Sequence, residues 1–301
     1  MNLAKKMGIC AAFLLAAVGG VMTAAAKGDE GIVKIKGLSY EMKTYEVTDA
    51  FTDIRVEDAE CNVRILLAAD GPCRVVCPEK QDGSVSHTVT VSGGELSVRR
   101  HDQRKWYRRI GVSLGIPDVE VYLPEKAYGR LTLHSMAGSI RVDDGFTFES
   151  AMLESISGDV RMLSQVKREL QAESTSGRVT IENASPEKLT AESISGRVEL
   201  AHIRSGEIIA QSTSGRIELT DVIAERRLYA KSVSGGVALD GCDGGAIRIE
   251  TTSGSVKGSI LSDKTFMTRS TSGSVRIPRC AGGGKCEITT TSGSIAIEIR
   301  Q

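Results

Sequence analysis

Ser193-Ile194-Ser195-Gly196-Arg197-Val198-Glu199-Leu200 decides the fold of this chain. After the glycine the apolar positions recur every second residue, at Val198 and Leu200, which is the period of an extended strand and not of a helix. The Ser-x-Ser-Gly tetrad or a close variant occurs nine times, with glycines at 138, 158, 177, 196, 215, 235, 254, 273 and 293, always 19 or 20 residues apart. A β-branched aliphatic residue stands two places after every one of them, from Ile140 to Ile295. Self-similarity at this period marks a solenoid, in which one supersecondary unit stacks on the next.

The residues before the glycine alternate as well, Leu189, Ala191 and Ser193 against Thr190, Glu192 and Ile194. Each repeat therefore holds two strands that meet at the tetrad. The phase slips once between Ser195 and Val198, and Gly196 is expected to supply a positive-φ corner there. A helical repeat is disfavoured because Ser, Thr, Gly and β-branched residues dominate every unit. The expected fold is all-β: a parallel β-solenoid (β-helix) of about nine 19–20-residue coils. At roughly 4.8 Å per coil the rod is about 40 Å long.

Residues 1–26 read as a signal peptide: Lys5 and Lys6, an apolar run from Ile9 to Met22 and Ala24-Ala25-Ala26. Residues 27–130 are expected to form N-terminal strands that cap and start the solenoid, and 131–301 the repeats themselves. The last strand, from Ile295, is expected to leave an open parallel edge, blunted by Glu298 and Arg300 or used for weak end-to-end self-association.

The 38 basic residues lose Lys5 and Lys6 on cleavage, leaving 36 against 38 acids and a net charge near −2. That balance gives no reason to expect a nucleic acid partner. Six cysteines follow the leader, Cys61, Cys73, Cys77, Cys242, Cys280 and Cys286, an even number that permits three disulfides, with Cys73–Cys77 and Cys280–Cys286 as local pairs. The histidines lie far from them in sequence, so neither a metal site nor a cofactor is expected.

In a solenoid, equivalent residues form ladders. The first serine of each tetrad forms an inner column, whose hydroxyls are expected to bond to each other and to the backbone. No histidine recurs beside it, so no nucleophile is assigned. Arg178, Arg197 and Arg216 directly follow three successive glycines, a ladder suited to an anionic glycan or phosphate, with Glu199 and Glu218 placed to neutralise it. A second candidate is the stretch containing Arg99, Arg100, Arg104, Lys105, Trp106, Tyr107, Arg108 and Arg109, where cations flank the chain's one tryptophan. Such a segment suits an anionic envelope polymer, glycan or membrane surface. The acidic residues are dispersed, without the paired carboxylates of a glycoside hydrolase.

The run Val119-Glu120-Val121-Tyr122-Leu123-Pro124 followed by the Ser-x-Ser-Gly coils resembles the bacterial β-strand-repeat family of candidate adhesins, a domain of unknown function, over residues 50 to 301. The resemblance implies a cell-envelope or secreted β-solenoid, in some members linked to envelope-stress signalling, and carries over no catalytic residue. The expected function is a non-enzymatic binding scaffold for envelope polymers, anionic lipid or an envelope protein. The alternatives are a polysaccharide-active enzyme on a β-helix, and an envelope-stress sensor that presents the acidic column Glu154, Glu173 and Glu192.

Overall fold

A computed structural model describes residues 40–68, 71–104, 117–280 and 282–300. The expected leader lies outside them. The first seven strands are β1 (Tyr40–Val47), β2 (Asp53–Asp58), β3 (Asn62–Leu67), β4 (Cys73–Lys80), β5 (Val85–Ser92), β6 (Glu95–Asp102) and β7 (Asp118–Leu123). Then come β8 (Ala127–Ser135), β9 (Ile140–Val142), β10 (Thr147–Ser155), β11 (Val160–Met162), β12 (Gln165–Ser174), β13 (Val179–Glu182) and β14 (Lys188–Ser193). Three long bent strands follow, β15 (Val198–Ser212), β16 (Ile217–Ser232) and β17 (Val237–Thr251). The last five are β18 (Val256–Ile260), β19 (Lys264–Ser270), β20 (Val275–Arg276), β21 (Gly284–Thr290) and β22 (Ile295–Ile299).

They form a parallel β-solenoid of about eight turns, the nine tetrads bounding eight steps. Strands ahead of each tetrad stack in one ribbon, β8, β10, β12, β14 and onward, and strands after it stack in another, β9, β11, β13 and onward. Inward residues of both ribbons, such as Leu189, Ala191, Val198 and Leu200, are buried along the whole axis. The core is one thin continuous column.

The tetrad glycines do not turn the chain through positive φ; none of them is among the positive-φ residues. Close stacking is what requires them. A Cβ on Gly196 would lie 1.9 Å from the Gly177 carbonyl oxygen, and one on Gly215 1.9 Å from that of Gly196. The positive-φ column falls at another corner, on Asn183, His202, Asp221 and Gly241. Asn and Asp tolerate this conformation better than most residues, and His202 adopts it in the same column.

The inner serines bond to backbone and not to one another. Ser193 Oγ accepts the Gly196 N–H at 2.9 Å and donates to the Gly177 carbonyl at 3.0 Å, and the pattern repeats in Ser155, Ser174, Ser212, Ser232 and Thr251.

Stacking order departs from chain order at both ends. The coil of β2 and β3 lies between that of β6 and β7 and that of β8 and β9. At the C-terminal end, β21 and β22 insert between β17/β18 and β19/β20. β22 therefore pairs on both sides at Ile295 and Ala296 and with β18 alone at 297–299, which narrows the expected open edge to those three residues, and the outermost coil is β19 and β20. Gly282 and Gly283, at φ 136° and 74°, belong to the segment that brings the chain back by one layer.

At the opposite end β1 and β4 pair antiparallel, as do β5 and β6, and finish the two ribbons. All six cysteines among the described residues are free, so the two local disulfides do not form. Cys73 and Cys77 share the extended strand β4, where four residues span roughly 13 Å, beyond the reach of a disulfide.

Candidate functional site

Strand alternation splits the basic segment. Arg99 points outward from β6, 58% exposed, with its Nε 3.4 Å from Glu57. Arg100, one residue on, points inward with Leu96 and Val98, and its side chain is 3% exposed. Arg104 is drawn in as well, hydrogen-bonded to Asp102 and, at 2.5 Å, to Glu60. The expectation that Arg100 and Arg104 face a ligand is corrected on this ground. Lys105, Trp106, Tyr107, Arg108 and Arg109 lie outside the described residues.

Arg100 belongs to a buried polar node. Asp58 on β2 pairs in register with Ser135, so it occupies the inner serine column, and its Oδ1 accepts the N–H groups of Glu60 and Cys61 at 2.7 and 2.6 Å. Asp58-Ala59-Glu60-Cys61 is a degenerate tetrad: Cys61 stands where the glycine would, two residues before Val63. Here the neighbouring outer coil supplies a cation. Arg100 Nη1 lies 3.4 Å from Asp58 Oδ1 and 3.3 Å from Cys61 Sγ, and His87 Nε2 lies 3.0 Å from Asp58 Oδ2.

Burial opposes the charge on Asp58. The His87 hydrogen bond, Arg100 and the two backbone N–H groups outweigh it and hold the carboxyl down at about 2. Burial, reinforced by Asp58, pushes the Cys61 thiol far above its usual range.

Donor atoms of Asp58, Cys61 and His87 lie within 4.8 Å of one another, a grouping hidden in sequence by the distance from Cys61 to His87. The Arg100 guanidinium already supplies positive charge beside both the carboxylate and the sulfur. The node ties the β5–β6 hairpin to the first coil, and its Asp58 and His87 side chains are 1% exposed, which keeps substrate away from them. His87 Nδ1 and Arg100 Nε are buried without a hydrogen-bond partner among the described residues.

The arginine ladder exists at coil spacing and is interleaved with acids. Arg178 Nε is 3.7 Å from Glu199, Arg197 Nη1 is 3.3 Å from both Glu199 and Glu218, and Arg216 Nη1 is 3.6 Å from Glu218. All three are about half exposed, and their charge is shared with the neighbouring column. Each such surface pair contributes only about 0–1 kcal/mol. The acidic column also forms: Glu154, Glu173 and Glu192 are in register on the outer face of the first ribbon. His134 lies 3.5 Å from Glu154, while Gln171 and Gln211 donate to Glu173 and Glu192.

The serine column is buried and bonded to backbone, as a structural role requires. The exposed side chains that repeat in register from coil to coil are therefore those on the outer faces of the two ribbons. No described helix is long and apolar enough to cross a membrane.

None of the curated proteins compared with the chain matches it significantly. Among solved structures, a candidate adhesin from Bacteroides fragilis NCTC 9343 superimposes with a TM-score of 0.51 at 14% identity, over 86% of this chain and 97% of that one. Two proteins from Parabacteroides distasonis ATCC 8503 are also similar. One is described as a candidate lipid-binding protein (TM-score 0.43, 15% identity, 85% and 96% covered) and the other as a candidate adhesin (0.39, 11%, 86% and 97%). The model of one family, Toastrack DUF4097, matches residues 51–189 and again 184–301, a span that holds all nine Ser-x-Ser-Gly corners, and the chain belongs to the Toastrack DUF4097 family.

Proposed function

We propose that the protein is a non-catalytic, exported cell-envelope or surface β-solenoid that engages envelope material through its outer faces. One contrast carries this reading. Cys61, His87 and Asp58, the three-residue grouping of candidate ligand and acid-base side chains, are sealed in the wall, whereas both outer faces present charged side chains in register from coil to coil. A rigid ruler of charges at strand spacing suits a repeating polymer or a charged surface better than it suits one bond to be broken. The fold shared with the Bacteroides fragilis candidate adhesin supports the same reading. Arg99 and the cations of 105–109 form one proposed contact, and the ladder Arg178, Arg197 and Arg216 another.

Co-sedimentation of the purified protein with host cell-wall polymer and with anionic phospholipid vesicles tests it. Salt-sensitive pelleting of the wild type, reduced when Lys105, Arg108 and Arg109 are changed to Gln, is the expected result. Pelleting with neither material, or depolymerisation of the polymer during incubation, would remove the reading.

A further inference from the structure

The outer face of the first ribbon carries a groove of about 710 Å³ across β8, β10, β12 and β14. The size lies within the roughly 300–1,000 Å³ of small-ligand sites. Its floor is low because β10 presents Ser150 at the register where its neighbours carry Arg130 and Glu169. A β-bulge deepens it. Opposite Phe148–Ser150, β12 holds an extra residue, which turns Lys167, Arg168 and Glu169 outward in succession. At the far end Arg226 lies across Gly206, where a Cβ would come within 2.6 Å of its Nη2.

The charges in this groove are not balanced as they are along the ladder of Arg178, Arg197 and Arg216. Five cations and three carboxylates line it, a surplus of two positive charges. Glu149 is held by Lys167 at 2.8 Å, Glu169 by Lys188 at 2.9 Å, and Arg55 pairs with Glu95 at 3.0 Å. Among the described residues the guanidinium groups of Arg130 and Arg168 pair with no carboxylate, the Arg130 backbone N–H donates to Asp53 at 3.0 Å, and Arg226 reaches the Glu187 carbonyl at 3.5 Å. In the ladder of Arg178, Arg197 and Arg216, by contrast, every guanidinium has its glutamate.

We propose that this groove is a binding site for an acidic saccharide, a segment of a polysaccharide bearing carboxylates, with Arg130, Arg168 and Arg226 as its anion-binding residues. Guanidinium pairs with carboxylate through two parallel N–H bonds. The strands of Arg130 and Arg168 are two spacings apart, roughly 10 Å. An oligosaccharide with repeated charges spans that separation, and a single headgroup does not. Between the arginines, Thr132, Ser150 and Gln171 offer hydroxyl and amide partners to sugar hydroxyls, and Met152, 44% exposed, offers an apolar patch to a ring face. The inference gives a site and a ligand class to the surface-binding function proposed above, and rests on it.

Calorimetric titration of the purified protein with an oligogalacturonate, with the corresponding neutral galactose oligomer and with inorganic phosphate tests the site. The wild type should bind the oligogalacturonate and not the neutral oligomer, with phosphate competing weakly. The double variant R130Q/R168Q, both side chains exposed and outside the core, should bind at least about tenfold more weakly, the scale of a lost charged hydrogen bond. Arg226→Gln should weaken binding in the same direction. Equal binding by wild type and double variant, equal binding of the charged and neutral oligomers, or no binding by the wild type would overturn the proposal. Pelleting with cell-wall polymer that the double variant retains would overturn the groove while leaving the surface-binding function standing. Wild-type titration with the oligogalacturonate but no pelleting with any envelope fraction would do the reverse.

Discussion

Ser193 Oγ donates to the Gly177 carbonyl at 3.0 Å while it accepts the Gly196 N–H at 2.9 Å, so one hydroxyl fastens two coils and closes its own corner. The close approach of the glycines makes the bond possible, and the bond satisfies two buried backbone groups that no strand ladder reaches.

Ser193→Ala should therefore cost about 1–3 kcal/mol, the penalty for stranding buried polar groups. Ser193→Thr should cost less, because Thr251 and Thr290 fill the same column with the same bonds. Gly196→Ala should be the worst of the three, about 3 kcal/mol or more, since the new Cβ meets the Gly177 carbonyl oxygen at 1.9 Å and its carbon at 2.4 Å. Urea unfolding of the three variants orders them. An alanine at 196 that left the midpoint unchanged would show that the coils stack less closely than described.

The position of the last coil makes a second prediction. Ser270 Oγ donates to the Gly293 carbonyl, and Thr290 Oγ1 donates to the Gly254 carbonyl, so the C-terminal coil is clamped on both sides and the preceding one on a single side. Hydrogen exchange should be slower in 285–290 than in 265–270, although the former lies nearer the C-terminus. Stacking in chain order would reverse the ranking.

Much of this architecture is legible in the residues. The repeats, the two strands per repeat, the buried serine column and the alternation of Arg and Glu all follow from spacing by two and by nineteen. The stacking order is not, because each tetrad is chemically equivalent to the next, and Gly254 can receive the hydroxyl of residue 270 or of residue 290 equally well. The strands of the first coil are legible by their alternation, but its corner is not, for the opposite reason. Asp58-Ala59-Glu60-Cys61 keeps the tetrad's spacing, with Val63 two residues after Cys61, but none of its residue types. Arg100 shows the cost of reading charge as exposure: its alternation with Leu96 and Val98 already placed it inside, and the acid facing it stands forty-two residues away. The groove of Arg130, Arg168 and Arg226 comes from three coils and a bulge, which no single stretch of sequence displays.

Asp58 makes stability depend on acid. Its carboxyl lies at about 2 in the folded chain against an ordinary value of 3.8, so the folded state binds the proton less readily than the unfolded one. The stabilisation is complete above the ordinary aspartate range and is lost as pH falls from about 4 toward 2. Asp58→Asn should remove that dependence and cost about 1–3 kcal/mol, because the buried His87 and Arg100 lose the charge of a shared acceptor while Arg100 keeps Glu60 at 2.7 Å. Thermal melts between pH 2 and 7 check both. A variant with the wild-type acid profile would place the titrating group elsewhere.

Thiol chemistry gives a fourth test. Five of the six described cysteines are buried, and desolvation raises Cys73 and Cys286 to about 12 and Cys242 to about 11, and pushes Cys61 and Cys77 well up as well. Iodoacetamide at neutral pH should label Cys280 alone among these six in the native protein and all six in urea. Mass spectrometry of the unreduced native protein should find no bridge between Cys73 and Cys77 or between Cys280 and Cys286.

His134 and Glu154 set an opposite dependence near neutrality. The hydrogen bond to Glu154, aided by its charge and that of Glu57, raises the imidazole above its ordinary 6.5 against the effect of partial burial. The folded state then holds the proton more tightly than the unfolded one. The pair's contribution is fully present below the ordinary histidine range and fades as pH rises through the raised value. Glu154→Gln should bring the His134 titration, followed by its imidazole proton resonances, back toward 6.5, and should flatten the loss of thermal stability between pH 6 and 8. If His134 titrates identically in the variant, Glu154 does not hold its proton, and the acidic column does not extend its influence to the first tetrad.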